Sequence, residues 1–176
     1  MNFHLTKVSM PYSKTQKVID GLCFLAIAFM FVYAWSQFDD LPKVIPTSFD
    51  LNGRATTFND KTSLFVLPGG ALFAYLCLFY ARFDPRIINV PIKITEANAK
   101  PVFAIALNMI SAVQLIIVAL FGSILYQSVA AARDTGNRLM IFPVFVFLGL
   151  LFAVIAVSVA RMYKIKVVPG PSNQPK

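Results

Sequence analysis

The sequence predicts an all-α integral membrane protein: a bundle of four transmembrane helices with both termini inside, and a short β-hairpin in the first extracytoplasmic loop. Composition is the first reason. Of 176 residues, 57% are hydrophobic and 14% charged, where soluble domains carry about 25% charged residues; the mean hydropathy is +0.68. The second reason is length, because several apolar runs reach the roughly 20 residues needed to cross the hydrocarbon core. The third is that Lys and Arg fall mostly on one side of those runs. The apolar excess excludes a disordered or collagen-like chain, and two cysteines are too few for a disulfide-rich secreted scaffold.

Four segments meet the length requirement: 18–38, 64–83, 102–126 and 139–160. They divide the chain into an inner arm (1–17), a transmembrane domain (18–166) and a disordered inner tail (167–176). The formal charges within them are Asp20, in the first turn of the first segment, and Arg82, at the end of the second. Both suit the helix dipole and are expected to reach the headgroups. The first run exceeds the h-region of a signal peptide and reads as a permanent anchor. Eleven of the Lys and Arg residues flank the arm, the 84–101 loop and the tail, against five in the other two loops. Loops 39–63 and 127–138 are therefore expected outside, and the net charge of +8 reflects lipid topology rather than nucleic acid. Gly70-x-x-x-Ala74, Ala119-x-x-x-Ser123 and Gly149-x-x-x-Ala153 have the spacing of close helix contacts. Pro68 should bend or delay the second helix.

No catalytic or cofactor signature is present: no G-x-G-x-x-G, Walker A loop, H-E-x-x-H or C-x-x-C. The single histidine, His4, lies in the arm, so neither a bis-histidine haem nor a histidine-rich metal site is expected within the bundle. No catalytic residue, metal ligand or cofactor is assigned. Cys23 and Cys77 are expected to be unpaired thiols. A carboxylate at mid-membrane depth, which a small proton-coupled exporter needs, is not expected. The third helix does carry Asn108, Ser111 and Gln114, which share a stripe about 120° wide at 3.6 residues per turn. They read as interhelical hydrogen-bonding groups or as the lining of a polar groove.

The first outer loop is the informative stretch. Pro42 and Pro46 enforce an extended entry; Ile45, Thr47, Phe49 and Leu51 then alternate with Val44, Ser48 and Asp50. Asn52-Gly53 suits a two-residue type I′ turn, and 54–58 can form the returning strand. Phe49 and Leu51 should pack on the bundle, Asp60 or Thr62 should cap the next helix, and Lys61 should meet Asp50, Asp60 or a bound anion.

Leu41-Pro42-x-x-Ile45-Pro46-Thr47-x-Phe49-x-x-x-Gly53, then Lys61 ahead of Leu64-Phe65-x-Leu67-Pro68, resembles a bacterial membrane domain family of unknown function. That domain also forms the N-terminal part of SdpI-type bacteriocin immunity proteins. The likeness continues at Asp84-Pro85-Arg86 and Asn89 and covers roughly residues 18–121. Members commonly carry His after Pro-Thr and Asn after Phe, where this chain has Ser48 and Asp50, so a histidine-based pH or metal response is not carried over. The resemblance implies the domain, and by association an immunity role.

The functional expectation is a non-enzymatic, multi-pass protein of the bacterial inner membrane that binds a peptide or partner protein through its first outer loop, in immunity or signalling. The binding set is Pro46, Thr47, Phe49, Asp50, Asn52, Gly53 and Lys61, and the acidic residues Asp39, Asp40, Asp50 and Asp60 would attract a cationic toxin. Expected partners are the lipid bilayer, and either an extracellular peptide or other membrane subunits, not nucleic acid. An accessory subunit of a larger membrane complex, and a lipid-acting enzyme or transporter, stand as alternatives.

Overall fold

The structure, a computed structural model, describes residues 13–83, 90–92, 94–95, 98–133 and 139–165. His4, the Asp84-Pro85-Arg86 turn with Asn89, and the 167–176 tail lie outside the described residues. The rest is mostly helical, in the order α1 (Lys14–Phe38), β1 (Val44–Phe49), β2 (Ala55–Asp60), a 3-10 turn (Lys61–Phe65), α2 (Val66–Ala81), α3 (Ala99–Arg133) and α4 (Phe142–Tyr163). Four helical stretches are long and apolar enough to span a membrane, so the chain is a multi-pass membrane protein.

Local sequence explains the helix ends. Ser13 and Gln16 form a reciprocal capping box at the start of α1. Asp60 caps the 3-10 turn by accepting from the Thr62 N–H at 2.9 Å. That turn delays α2 until Val66, so Pro68 falls in the first helical turn, where its missing N–H costs nothing. α3 overruns the expected 102–126 at both ends. Ala130, Ala131 and Ala132 sustain it, and Arg133 in its last turn reaches Gln37 at 2.6 Å and Asp40 at 3.4 Å.

The four helices do not form a symmetric bundle. α1 and α2 pack against α3 and more sparingly against each other, while α4 packs chiefly on α3, with Met162 in a cluster that also takes in Val90 and Ile92. The expected four helices are present with α3 as their common neighbour, and α4 is the least buried of the four spans. Only Ser158 and Met162 of α4 are buried. The apolar core joins Cys23, Ile27, Met30 and Ala34 of α1 to Ala71 and Tyr75 of α2 and to Val118 and Leu125 of α3. A Cβ at Gly70 would stand 3.0 Å from the Phe121 ring, tighter than ordinary contact, whereas one at Gly122 would stand at an ordinary 3.8 Å from the Met30 sulfur. Gly149 has nothing within 4 Å, so its small-residue spacing marks no contact. Exposed Trp35 and Tyr126 toward the hairpin end, and Tyr80 and Tyr163 toward the opposite end, occupy the levels where amphipathic rings favour a membrane boundary.

Candidate functional site

The hairpin stands on the helix ends and is fastened at three points. Ile45 and Pro46 of β1 are buried, Ile45 with Leu41 and Leu64 in the core. Lys61 donates to the Phe38 carbonyl at 2.9 Å and lies 4.2 Å from the centre of the Phe38 ring. The Leu139 N–H donates to the Gly53 carbonyl at 2.9 Å, tying the segment before α4 to the hairpin tip. Contrary to the sequence expectation, the direct contacts of the Lys61 ammonium are with Phe38 and not with Asp50 or Asp60. Its cation sits at the negative end of α1, where the last carbonyls lack helical partners.

The turn differs from the expected two-residue type. Gly53 N–H donates to the Asp50 carbonyl and Asp50 N–H to the Arg54 carbonyl, both at 2.9 Å, with Gly53 at φ 75°. Leu51, Asn52 and Gly53 thus make a three-residue loop with glycine in the left-handed position. Asp50 organises it: one carboxylate oxygen accepts from Asn52 and Arg54 N–H, both at 2.8 Å. Those bonds, the Arg54 one foremost, hold its carboxyl below the usual carboxylate range, and the Thr62 N–H does the same for Asp60.

Register shifts either side of Ser48 also break the expected alternation. Thr47 is left without a cross-strand partner beside Pro46, which has no N–H to pair. Its hydroxyl accepts from Asn59 Nδ2 at 2.7 Å and donates to the Thr57 carbonyl at 3.4 Å. Phe49 is half-buried, but Leu51 is 85% exposed at the tip rather than packed on the bundle. Beside β1, a cleft of about 340 Å³ opens between the hairpin and α2 and α3, with Phe49, Leu64 and Leu67 on its apolar walls and Thr47, Ser48, Asn59, Ser63 and Ser128 as its polar groups.

A second polar centre lies inside the core. Arg82 Nη1 donates to both carboxylate oxygens of Asp20, at 2.8 and 2.9 Å, and its Nη2 donates to Gln114 Oε1. The two charged side chains are 4% and 7% exposed. Both were expected to reach the headgroups; instead they neutralise each other within the helix packing, joining α1, α2 and α3. A turn closer to the helix ends, Gln16 Nε2 donates to Asn108 Oδ1 at 3.1 Å, while Ser111 bonds back to the Leu107 carbonyl of its own helix. Asn108 and Gln114 thus serve different neighbours. Asp20 and Arg82 were missed as a pair because 62 residues separate them; the one available signal was a charge of each sign inside two otherwise uncharged spans.

The comparisons bear on the first of these two places. Residues 24–72 match a domain of unknown function, DUF1648. The match runs from α1 through the hairpin into α2. It holds the whole expected binding set but stops short of Arg82. An uncharacterized protein of Archaeoglobus fulgidus is 30% identical over 91 residues, 46% of this chain and 49% of that protein. The chain thus spans about half the length of the relative it matches. No solved structure matches it. Cys23 is buried and Cys77 exposed, and both are free thiols; the described residues hold no cluster of His, Cys, Asp or Glu able to hold a metal ion.

Proposed function

We propose that this is a non-enzymatic protein of a bacterial cytoplasmic membrane, with its hairpin outside and its termini inside. On this reading the hairpin binds an extended segment of a peptide or partner protein by strand addition. The observation that carries the reading is the state of β2. Five of its six residues are exposed, and among the described residues no strand pairs with its outer edge. Lys61 N–H donates to the Lys43 carbonyl, so strand alternation turns the Asn59 N–H toward β1 and the Phe58 N–H outward. An edge held this firmly offers main-chain hydrogen bonds at little ordering cost, and the neighbouring cleft would receive a side chain.

Charge contributes less than the acidic residues suggest. Asp40 faces Arg133, and Asp50 and Asp60 are engaged in the turn and cap. Immunity to a cationic peptide therefore rests on the strand edge and on the family resemblance, not on a negative surface.

The test is photo-crosslinking in native membranes from a probe at Thr56, with Phe58→Pro as the control that deletes one outward donor. A discrete adduct that Phe58→Pro removes supports the reading. An adduct unchanged by Phe58→Pro, or none at all, defeats it.

A second reading, an accessory subunit of a larger complex, draws on α4, the least buried of the four spans among the described residues. A heteromeric band that survives mild-detergent extraction and is lost on substituting Phe145 and Phe152, both exposed on α4, would favour it.

A further inference from the structure

The groove between α3 and α4 is polar at one end and apolar along the rest. It encloses about 350 Å³. Ile105, Met109, Leu150 and Val154 give it apolar walls, and Ala112 and Ala153 keep it open; Asn108, Ser158 and Arg161 line its polar end. Arg161 is exposed, and no described residue forms an ion pair with it. Asn108 gives its carbonyl oxygen to Gln16, so the NH2 group is what it offers at the mouth.

The surroundings favour a negative occupant. Among the described residues, this end of the molecule carries Lys14, Lys17, Lys100, Arg161 and Lys164, and its one carboxylate, Asp20, is taken up by Arg82. At the hairpin end, Asp39, Asp40, Asp50 and Asp60 offset Lys43, Arg54, Lys61 and Arg133.

We infer that this groove is a binding site for one anionic phospholipid. The phosphate sits against the Arg161 guanidinium and the Asn108 amide, and an acyl chain runs along Met109, Ala112, Ala153 and Leu150 toward the membrane centre. Shape and charge both select this occupant. A soluble anion would leave the apolar walls uncovered, and a zwitterionic lipid would bring an ammonium group to an end already rich in cations. The site needs no assumption about the hairpin's function, and it assigns a role to the side of α3 that the three-helix core leaves free.

The test uses the full chain reconstituted into vesicles of equal parts phosphatidylglycerol and phosphatidylcholine, then extracted in mild detergent for native mass spectrometry. The expected result is retention of one phosphatidylglycerol, about fivefold over phosphatidylcholine, as one interfacial cation implies. Arg161→Ala should bring the ratio close to one, Arg161→Lys should keep most of it, and Ala153→Trp should displace lipid of either kind. Arg161 and Ala153 are exposed, so these variants keep the core; an unchanged thermal midpoint in detergent checks that. The inference is overturned if the wild type retains the two lipids equally, if Arg161→Ala keeps the preference, or if millimolar inorganic phosphate strips the lipid. A lipid-free dimer of the chain that Ala153→Trp abolishes also overturns it, because a second copy would then fill the groove.

Discussion

A charged side chain taken out of water within helix packing costs several kcal/mol unless it is paired, so the buried Asp20 and Arg82 are tolerated because each answers the other. Breaking such a pair from one side typically costs 3–5 kcal/mol, whereas replacing both partners by apolar side chains is often neutral. Asp20→Asn and Arg82→Leu should each destabilise the protein by about 3–5 kcal/mol, and Asp20→Leu with Arg82→Leu by much less, as read from unfolding midpoints in detergent. Equal losses for the single and double variants would show that the two charges do not act as a pair. Gly53 supplies a second test. Its positive φ alone costs a β-branched residue about 1–2 kcal/mol, and a Cβ there would also collide with the Leu139 carbonyl oxygen. Gly53→Val should raise hydrogen exchange both in 50–60 and at Leu139 while the four spans still insert; exchange confined to the turn would contradict the Leu139 contact. The sequence made the need for glycine legible, because Asn-Gly is a strong turn signal, but not the Leu139 backbone that packs against it. Lys61 departs from its expected aspartate partners for a related reason. Its neighbours in sequence are aspartates, yet its neighbour in space is the end of another helix.

At the scale of elements, the spans could be read because twenty apolar residues have few other uses, and the hairpin because Asn-Gly separates two β-prone runs. What could not be read was the detail set by tertiary fit. Thr47 looked like one more alternating strand residue, yet the Pro46 ring leaves a gap in the ladder that Thr47 fills with its own hydroxyl. The turn gained a residue because the Asp50 carboxylate reaches both Asn52 and Arg54. That carboxylate, with Asp60, gives the hairpin a pH dependence of definite sign. Both folded-state pKa values are lowered, so their stabilisation is complete above the ordinary carboxylate pKa of about 4 and is lost as pH falls through the lowered values. Amide exchange corrected for intrinsic rate should show equal protection of 50–62 at pH 7 and pH 5 and weaker protection near pH 3. Asn at both positions should remove the difference. Protection that changes between pH 7 and pH 5 would point to another titrating group.

The molecule as a whole is organised around α3, and this the sequence did not reveal. Four apolar segments of similar hydropathy say nothing about which will be central, because lipid accepts an apolar face as readily as a neighbouring helix does. Orientation, in contrast, can be expected from charge. With eleven Lys and Arg residues against five, membrane-impermeant thiol labelling should reach Asn52→Cys in intact cells and reach Lys100→Cys only after permeabilisation, in a background with both native cysteines replaced. The reverse pattern would invert the topology and remove the hairpin from the outside.

The central position of α3 has a consequence for biogenesis. Of the three core helices, α3 is the last to be synthesised, so α1 and α2 leave the ribosome before most of the surface they bury against exists. The bond between Arg82 and Asp20 needs only those two segments and would join them at one end before Gln114 completes the set. A nascent chain stalled before α3 should already resist extraction of α1 from α2, and it should lose that resistance when Asp20 is replaced by Leu. That outcome would make the pair a temporary clasp during assembly, at the stage when apolar packing has little to offer.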